Sequence, residues 1–197
     1  MLEETRLPYE AHWVDLGNGE SRTKEFLALN PNGRIPAIID PTAPGRPVMI
    51  GESIAILIYL ADKSRQLLAA DGHARYETIQ WAIWQVSAVG PNFGNLSYYE
   101  TFDGKELTDK RPRDRFANES KRLLGILNER LSDREWIMDY GYSIADISLI
   151  GWVINLVGRY KAGDIVSYQD YEHIHRWLAQ ALDRPAVIAG LKIPEKN

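Results

Sequence analysis

The sequence predicts an α/β unit over residues 1–65 followed by an all-helical unit over residues 73–197. Three observations predict this. The short apolar runs before Gly51 are bounded by Pro, Gly and Asn, the punctuation of strands and turns. Beyond Ser64 no segment alternates with a period of two. The long stretches after His73 instead place apolar residues at helical spacing.

Leu2 to Leu7 reads as the end of a helix that Pro8 stops. Tyr9 to Val14 alternates, with Tyr9, Ala11 and Trp13 on one side, and is expected to be a strand. A turn follows at Asp15–Gly19, then a short helical turn from Lys24 to Leu29 that ends before Pro31. Ala37–Asp40 and Val48–Ile50 read as brief strands, with Pro41–Pro47 as the connection of a hairpin. The next helix opens at Glu52–Ser53 and runs to about Lys63. Ile54, Leu57, Ile58 and Ala61 form one of its faces, and Ile56, Tyr59 and Leu60 carry the apolar surface most of the way round. Such a helix needs cover on two sides, from the sheet and from a second domain or a partner chain, so a homodimer is expected.

Ser64 to His73 has little pattern and reads as a linker. Ala74 to Val89 is predicted helical and expected to stop at Gly90–Pro91. A long loop bearing Tyr98, Tyr99 and Phe102 is expected to lead to Pro112, after which Phe116, Leu123, Leu124, Leu127 and Leu131 mark a second long helix. Ser143 is a candidate N-cap with Asp146 placed for the reciprocal bond, and Tyr142 is positioned to staple onto Ile147. That helix, to about Val157, is apolar enough to be central. Ile174, Trp177, Leu178, Ala181 and Leu182 mark a further helix ending before Pro185, and Ala186–Leu191 a last short one.

Composition narrows the functional classes. The 23 Lys and Arg against 27 Asp and Glu give a net charge of −4, which offers nucleic acid no footing. No run is long and apolar enough for a bilayer, and the first ten residues lack the basic start and apolar core of a signal peptide. A cytoplasmic setting is expected. With no Cys in the chain there is no disulfide, no zinc–thiolate site and no thiol nucleophile. His173 and His175, two residues apart on a helix, point to different faces and make a poor metal pair, so no metal is expected.

The candidate site lies between Asn30 and Leu60. Ile35–Pro36 has the chemistry of a cis peptide at a tight turn, which would leave the Ile35 N–H and C=O free for an extended ligand. Ser53 and the free N–H groups at the head of its helix favour an anion, and Glu52 beside them suits an ammonium group. A small zwitterionic peptide fits this combination. A plain helix cap at Ser53 and a first-turn acid at Glu52 are the structural alternatives.

The runs Asn30-Pro31-Asn32-Gly33-Arg34-Ile35-Pro36-Ala37-Ile38 and Gly51-Glu52-Ser53-Ile54-Ala55-Ile56-Leu57-Ile58-Tyr59-Leu60 resemble the glutathione-binding half of a cytosolic glutathione transferase. The resemblance is to the bacterial and fungal branch that includes the yeast nitrogen regulator and the disulfide-bond oxidoreductases. It implies a thioredoxin-like N-terminal domain, here truncated, and an all-helical C-terminal domain. It also implies glutathione as substrate, with Ile35 and Pro36 on the cysteinyl backbone and Glu52 and Ser53 on the γ-glutamyl end. Arg115, where some relatives reach a glutathione carboxylate, reads first as a solvated helix charge. The Ser143–Asp146 box is a folding signature of that family.

In such relatives a hydroxyl or amide at the end of the first strand stabilises the glutathione thiolate. They carry it in a segment preceding the point where this sequence begins, so the resemblance assigns no catalytic residue here. The same segment holds a strand that lies between the counterparts of Tyr9–Val14 and Ala37–Asp40. Three functions follow as expectations: glutathione-dependent conjugation or disulfide reduction, glutathione binding or regulation without turnover, and a structural module. The partner on the other side of the reaction is an electrophilic or disulfide small molecule.

Overall fold

Six prolines from residue 8 to residue 47 keep the first part of the chain short-ranged, whereas the second part has room for long helices. A computed structural model describes residues 1–194. The chain forms two units, Met1–Leu68 with the segment from Pro185, and Ala69–Arg184. The sequence partition of 1–65 and 73–197 differs from this at the C-terminus. Helix α9 (Pro185–Gly190) packs on α1 (Leu2–Thr5), a long-range contact that periodicity does not reveal.

In the first unit α2 (Lys24–Leu29) is opened by Thr23, whose hydroxyl accepts from the Phe26 N–H at 3.3 Å, and closed by Asn30. Strands β1 (Ile38–Asp40) and β2 (Val48–Ile50) form the expected antiparallel hairpin, with Ile38 opposite Ile50 and Ile39 opposite Met49. Helix α3 (Ser53–Ser64) follows. The hairpin face bearing Asp40 meets α3: Asp40 Oδ2 accepts from the Tyr59 hydroxyl at 2.6 Å and from Lys63. The opposite face shows Ile39 and Met49 to solvent, 58% and 59% exposed.

The strand expected at Tyr9–Val14 does not form; that segment is irregular, with Tyr9 and Trp13 exposed. A strand exists only with a neighbour to complete its ladder, and among the described residues β1 and β2 pair only with each other. Alternation in a sequence fixes which faces a strand would present, not whether a partner lies alongside.

In the second unit α4 (Gly72–Trp84) does not stop at Gly90–Pro91. A five-residue π segment, Gln85–Val89, carries the chain straight into α5 (Gly90–Thr101). The Gly90 N–H reaches back five residues to the Gln85 carbonyl, and Pro91, which has no N–H to give, falls at the changeover from π to α bonding. The loop expected to carry Tyr98 and Tyr99 is therefore helix. Gly90 is also where the backbone approaches Trp152 closely, since a Cβ there would sit 3.0 Å from Trp152 Cζ2.

Helices α6 (Arg111–Arg130), α7 (Ile144–Val157) and α8 (Glu172–Leu182) complete this unit, close to the expected positions. Their shared core includes Phe93, Leu96, Leu127, Leu149 and Trp177. The capping box at Ser143 is present. Asp146 goes further than a cap: its carboxylate is fully buried and accepts from the Ser143 N–H and hydroxyl, the Ile137 N–H and the Trp177 indole. Burial pushes its carboxyl above the usual range, against the pull of those donors. Tyr142 packs edge-on against Trp136, with the Arg184 guanidinium 3.9 Å from its ring centroid.

Candidate functional site

Loop 30–36 is held by one buried side chain. Asn30, 4% exposed, donates from Nδ2 to the Arg34 carbonyl at 2.7 Å and to the Gly51 carbonyl at 3.3 Å, and its Oδ1 accepts from the Asn32 N–H at 3.1 Å. The turn between needs Gly33, which has φ 62° and whose Cβ would lie 3.0 Å from the Ser21 carbonyl oxygen. The Arg22 guanidinium adds a bond to the Asn32 carbonyl at 3.3 Å.

The loop delivers Ile35 and Pro36 in the expected form. The Ile35–Pro36 peptide is cis. Ile35 is 48% exposed, and among the described residues neither its N–H nor its C=O has a hydrogen-bond partner. A backbone edge with both groups free is what an extended peptide pairs with.

The head of α3 stands beside this loop. Glu52 occupies the N-cap position in extended backbone, and its side chain makes no cap. It is exposed and accepts instead from Asn32 Nδ2 at 3.4 Å, a long contact that nonetheless places its carboxylate next to the loop. Ser53 is the first helical residue, half-buried, and its hydroxyl has no partner among the described residues. The plain cap that a structural role would require is thus missing, and the first N–H groups of a 12-residue helix remain open. Ile35, Pro36, Glu52 and Ser53 all lie in the first unit, where the loop touches the α3 head through Asn32 on Glu52 and Asn30 on Gly51.

Arg115 belongs to the other unit, exposed on α6. Its charge is felt one turn along by Glu119, whose carboxyl is held low first by Arg122 and to a smaller extent by Arg115. Tyr98 and Tyr99 make an edge-on pair at 5.1 Å, and Tyr99 stacks on Phe116 at 5.9 Å. Among the described residues there is no cluster of three or more metal-ligating side chains. The sequence reading missed Asn30 and Gly51 as parts of the site. Locally Asn30 is one more turn residue; its bridge spans 21 positions to Gly51, which no short-range pattern encodes.

The sequence models for the glutathione S-transferase N-terminal domain and C-terminal domain match residues 1–63 and 111–180. Glutathione S-transferase 2 of Schizosaccharomyces pombe is 38% identical over 201 residues, covering 95% of this chain and 86% of that protein. The chain belongs to the glutathione transferase family.

Within the glutathione transferases, similarity extends to the disulfide-bond oxidoreductase YfcG of Escherichia coli, 36% identical over 94% of this chain and 84% of that protein. Two solved glutathione transferases superpose closely. One from Burkholderia graminis, with two glutathione molecules bound per subunit, has a TM-score of 0.97 at 53% identity, covering 100% of this chain and 82% of that one. One from Pseudomonas putida, with one glutathione disulfide bound per subunit, has a TM-score of 0.96 at 51% identity, covering 98% and 84%. The hairpin unit and the helical unit are accordingly the thioredoxin-like and all-helical domains of a glutathione transferase.

Proposed function

We propose that this glutathione transferase binds glutathione between loop 30–36 and the head of α3, and that the bound thiol is used on a disulfide or electrophilic small molecule. The observation that carries the reading is the unpaired backbone edge of Ile35 beside an uncapped helix head with Glu52 at its mouth. The Ile35 N–H and C=O pair with the cysteinyl backbone, against Pro36. The Ser53 hydroxyl and the first N–H groups of α3 hold the γ-glutamyl carboxylate, and Glu52 takes the γ-glutamyl ammonium. Since the chain has no Cys, the reacting sulfur is the ligand's own.

Disulfide reduction is favoured over conjugation by the company this chain keeps. Two of its solved neighbours hold two glutathione molecules and one glutathione disulfide per subunit, respectively, and one relative is named a disulfide-bond oxidoreductase. In that reaction two glutathione thiols give up two electrons and two protons and join as a disulfide, while the substrate disulfide accepts them and parts into two thiols. A cytoplasmic setting supplies reduced glutathione. The homodimer reading stands on the exposed apolar side chains Tyr76 and Ile83 of α4 and Val86 of the π segment that continues it, and is checked by sedimentation.

The deciding experiment is retention on immobilised glutathione, followed by turnover of a small disulfide in the presence of glutathione. The wild-type chain is expected to be retained, and Glu52→Ala and Ser53→Ala each to lose about 10-fold or more in affinity. Unchanged retention in both variants overturns the reading. Retention without turnover leaves a glutathione-binding protein without the reaction.

A further inference from the structure

Asn30 uses every polar group it has. Its N–H donates to the Phe26 carbonyl at 2.8 Å, closing α2, and its C=O accepts from the Gly33 N–H at 2.8 Å. Its side-chain amide faces two carbonyls through Nδ2 and one N–H through Oδ1, and a flipped amide would set oxygen against both carbonyls, so the orientation is chemically fixed. The two carbonyls belong to the two arms of the proposed cradle. Arg34 is the residue before Ile35, and Gly51 is the residue before Glu52. We propose, resting on the glutathione reading above, that Asn30 is a positioning residue whose buried amide fixes the separation and orientation of the Ile35 edge and the α3 head, so that both can grip one tripeptide.

The geometry gives the reason. The Ile35 edge sits on a loop, and a ligand held by two arms is sensitive to their spacing on the scale of an ångström. Beyond the β1–β2 ladder, which pairs Ile38 with Ile50, two side-chain links among the described residues join the arms. The exposed, 3.4 Å contact between Asn32 and Glu52 is the weaker, and it disappears as soon as Glu52 turns to a ligand. The Asn30 amide is the link that persists with the ligand bound. Gly51 is part of the same device: a Cβ there would lie 2.4 Å from Asn30 Cγ, 2.6 Å from Nδ2 and 2.7 Å from Oδ1, so the backbone approaches the amide only because residue 51 has no side chain. Gly51 has no positive φ to enforce glycine, which leaves this approach as its physical explanation.

The test is a double-substitution cycle read as the glutathione dissociation constant by calorimetry, at a temperature well below every variant's midpoint of unfolding. Asn30→Ala, Asn30→Asp and Gly51→Ala are each expected to weaken binding by about 10-fold or more, Asn30→Asp because it keeps the side-chain shape but sets a carboxylate oxygen against both carbonyls. Gly51→Ala is expected to cost little further once Asn30 is Ala, because the collision is gone. A merely structural Asn30 would lower the midpoint of unfolding and leave the dissociation constant of the folded protein unchanged; that result overturns the proposal while the glutathione reading stands. A wild-type chain that does not bind glutathione overturns both. Should Asn30→Ala not fold, Gly51→Ala and Asn30→Asp decide alone.

Discussion

Tyr59 and Asp40 are joined by a 2.6 Å hydrogen bond that ties the middle of α3 to the first strand of the hairpin. Asp40 also receives Lys63, the Thr42 hydroxyl at 2.7 Å and the Thr42 N–H at 2.9 Å, so one carboxylate anchors the hairpin turn and the helix together. Lys63 first, then Tyr59 and Thr42, hold its carboxyl far below the usual carboxylate range.

A pH dependence follows. In acid the unfolded chain binds a proton at Asp40 more readily than the folded one, so the stabilisation is complete above the ordinary carboxylate range. It is lost as pH falls through that range toward the depressed folded value. Thermal unfolding of the wild type and of Asp40→Asn is expected to differ most near neutrality, with the difference shrinking steadily as pH falls from about 5 through 3 and closing only toward the depressed folded value. A constant difference across that interval contradicts the assignment.

Asp146 gives the largest expected loss of stability. Asp146→Ala removes the acceptor for the Ile137 N–H, the Trp177 indole and the Ser143 N–H and hydroxyl at once, all of them buried. A cost of about 3–5 kcal/mol is expected in urea unfolding. Asp146→Asn keeps the shape and one acceptor oxygen and is expected to lose about half as much.

The Ser143–Asp146 box was legible because a helix cap is a local device, four residues long. The hairpin, the α3 head and the cis peptide were legible for the same reason: each is specified within a few positions. Tyr9–Val14 misled because strand pairing is a relation between distant segments, and Gly90–Pro91 misled because a π turn absorbs a proline that an uninterrupted α-helix would reject. The Asn30 amide and the packing of α9 on α1 depend on contacts 21 and more than 180 positions apart, beyond any periodicity. In the site the sequence showed the groups offered to a ligand but not the side chain that spaces them.

Two glycine substitutions in the helical unit are expected to move stability in opposite directions. Gly125 lies inside α6 with nothing within 4 Å of where a Cβ would stand, so Gly125→Ala is expected to add about 1 kcal/mol through helix propensity. Gly90→Ala gains the same propensity but drives a methyl to 3.0 Å from both Trp152 Cζ2 and Gln85 Nε2. The indole is packed against the core and cannot retreat freely, so a net loss of about 1–2 kcal/mol is expected. Denaturant midpoints of the two variants read both signs directly.

Ile35 separates recognition by backbone from recognition by side chain. In the proposed complex glutathione meets the N–H and C=O of residue 35, and the side chain, nearly half exposed, only shapes the local backbone. Ile35→Val preserves the β-branch and the backbone groups, so the dissociation constant for glutathione is expected to stay within about 3-fold of the wild type. Ser53→Ala, which removes a hydroxyl aimed at the ligand's carboxylate, is expected to exceed that change several times over. If calorimetry finds the reverse order, the tripeptide is read by an apolar side chain and the backbone pairing at Ile35 is not its anchor.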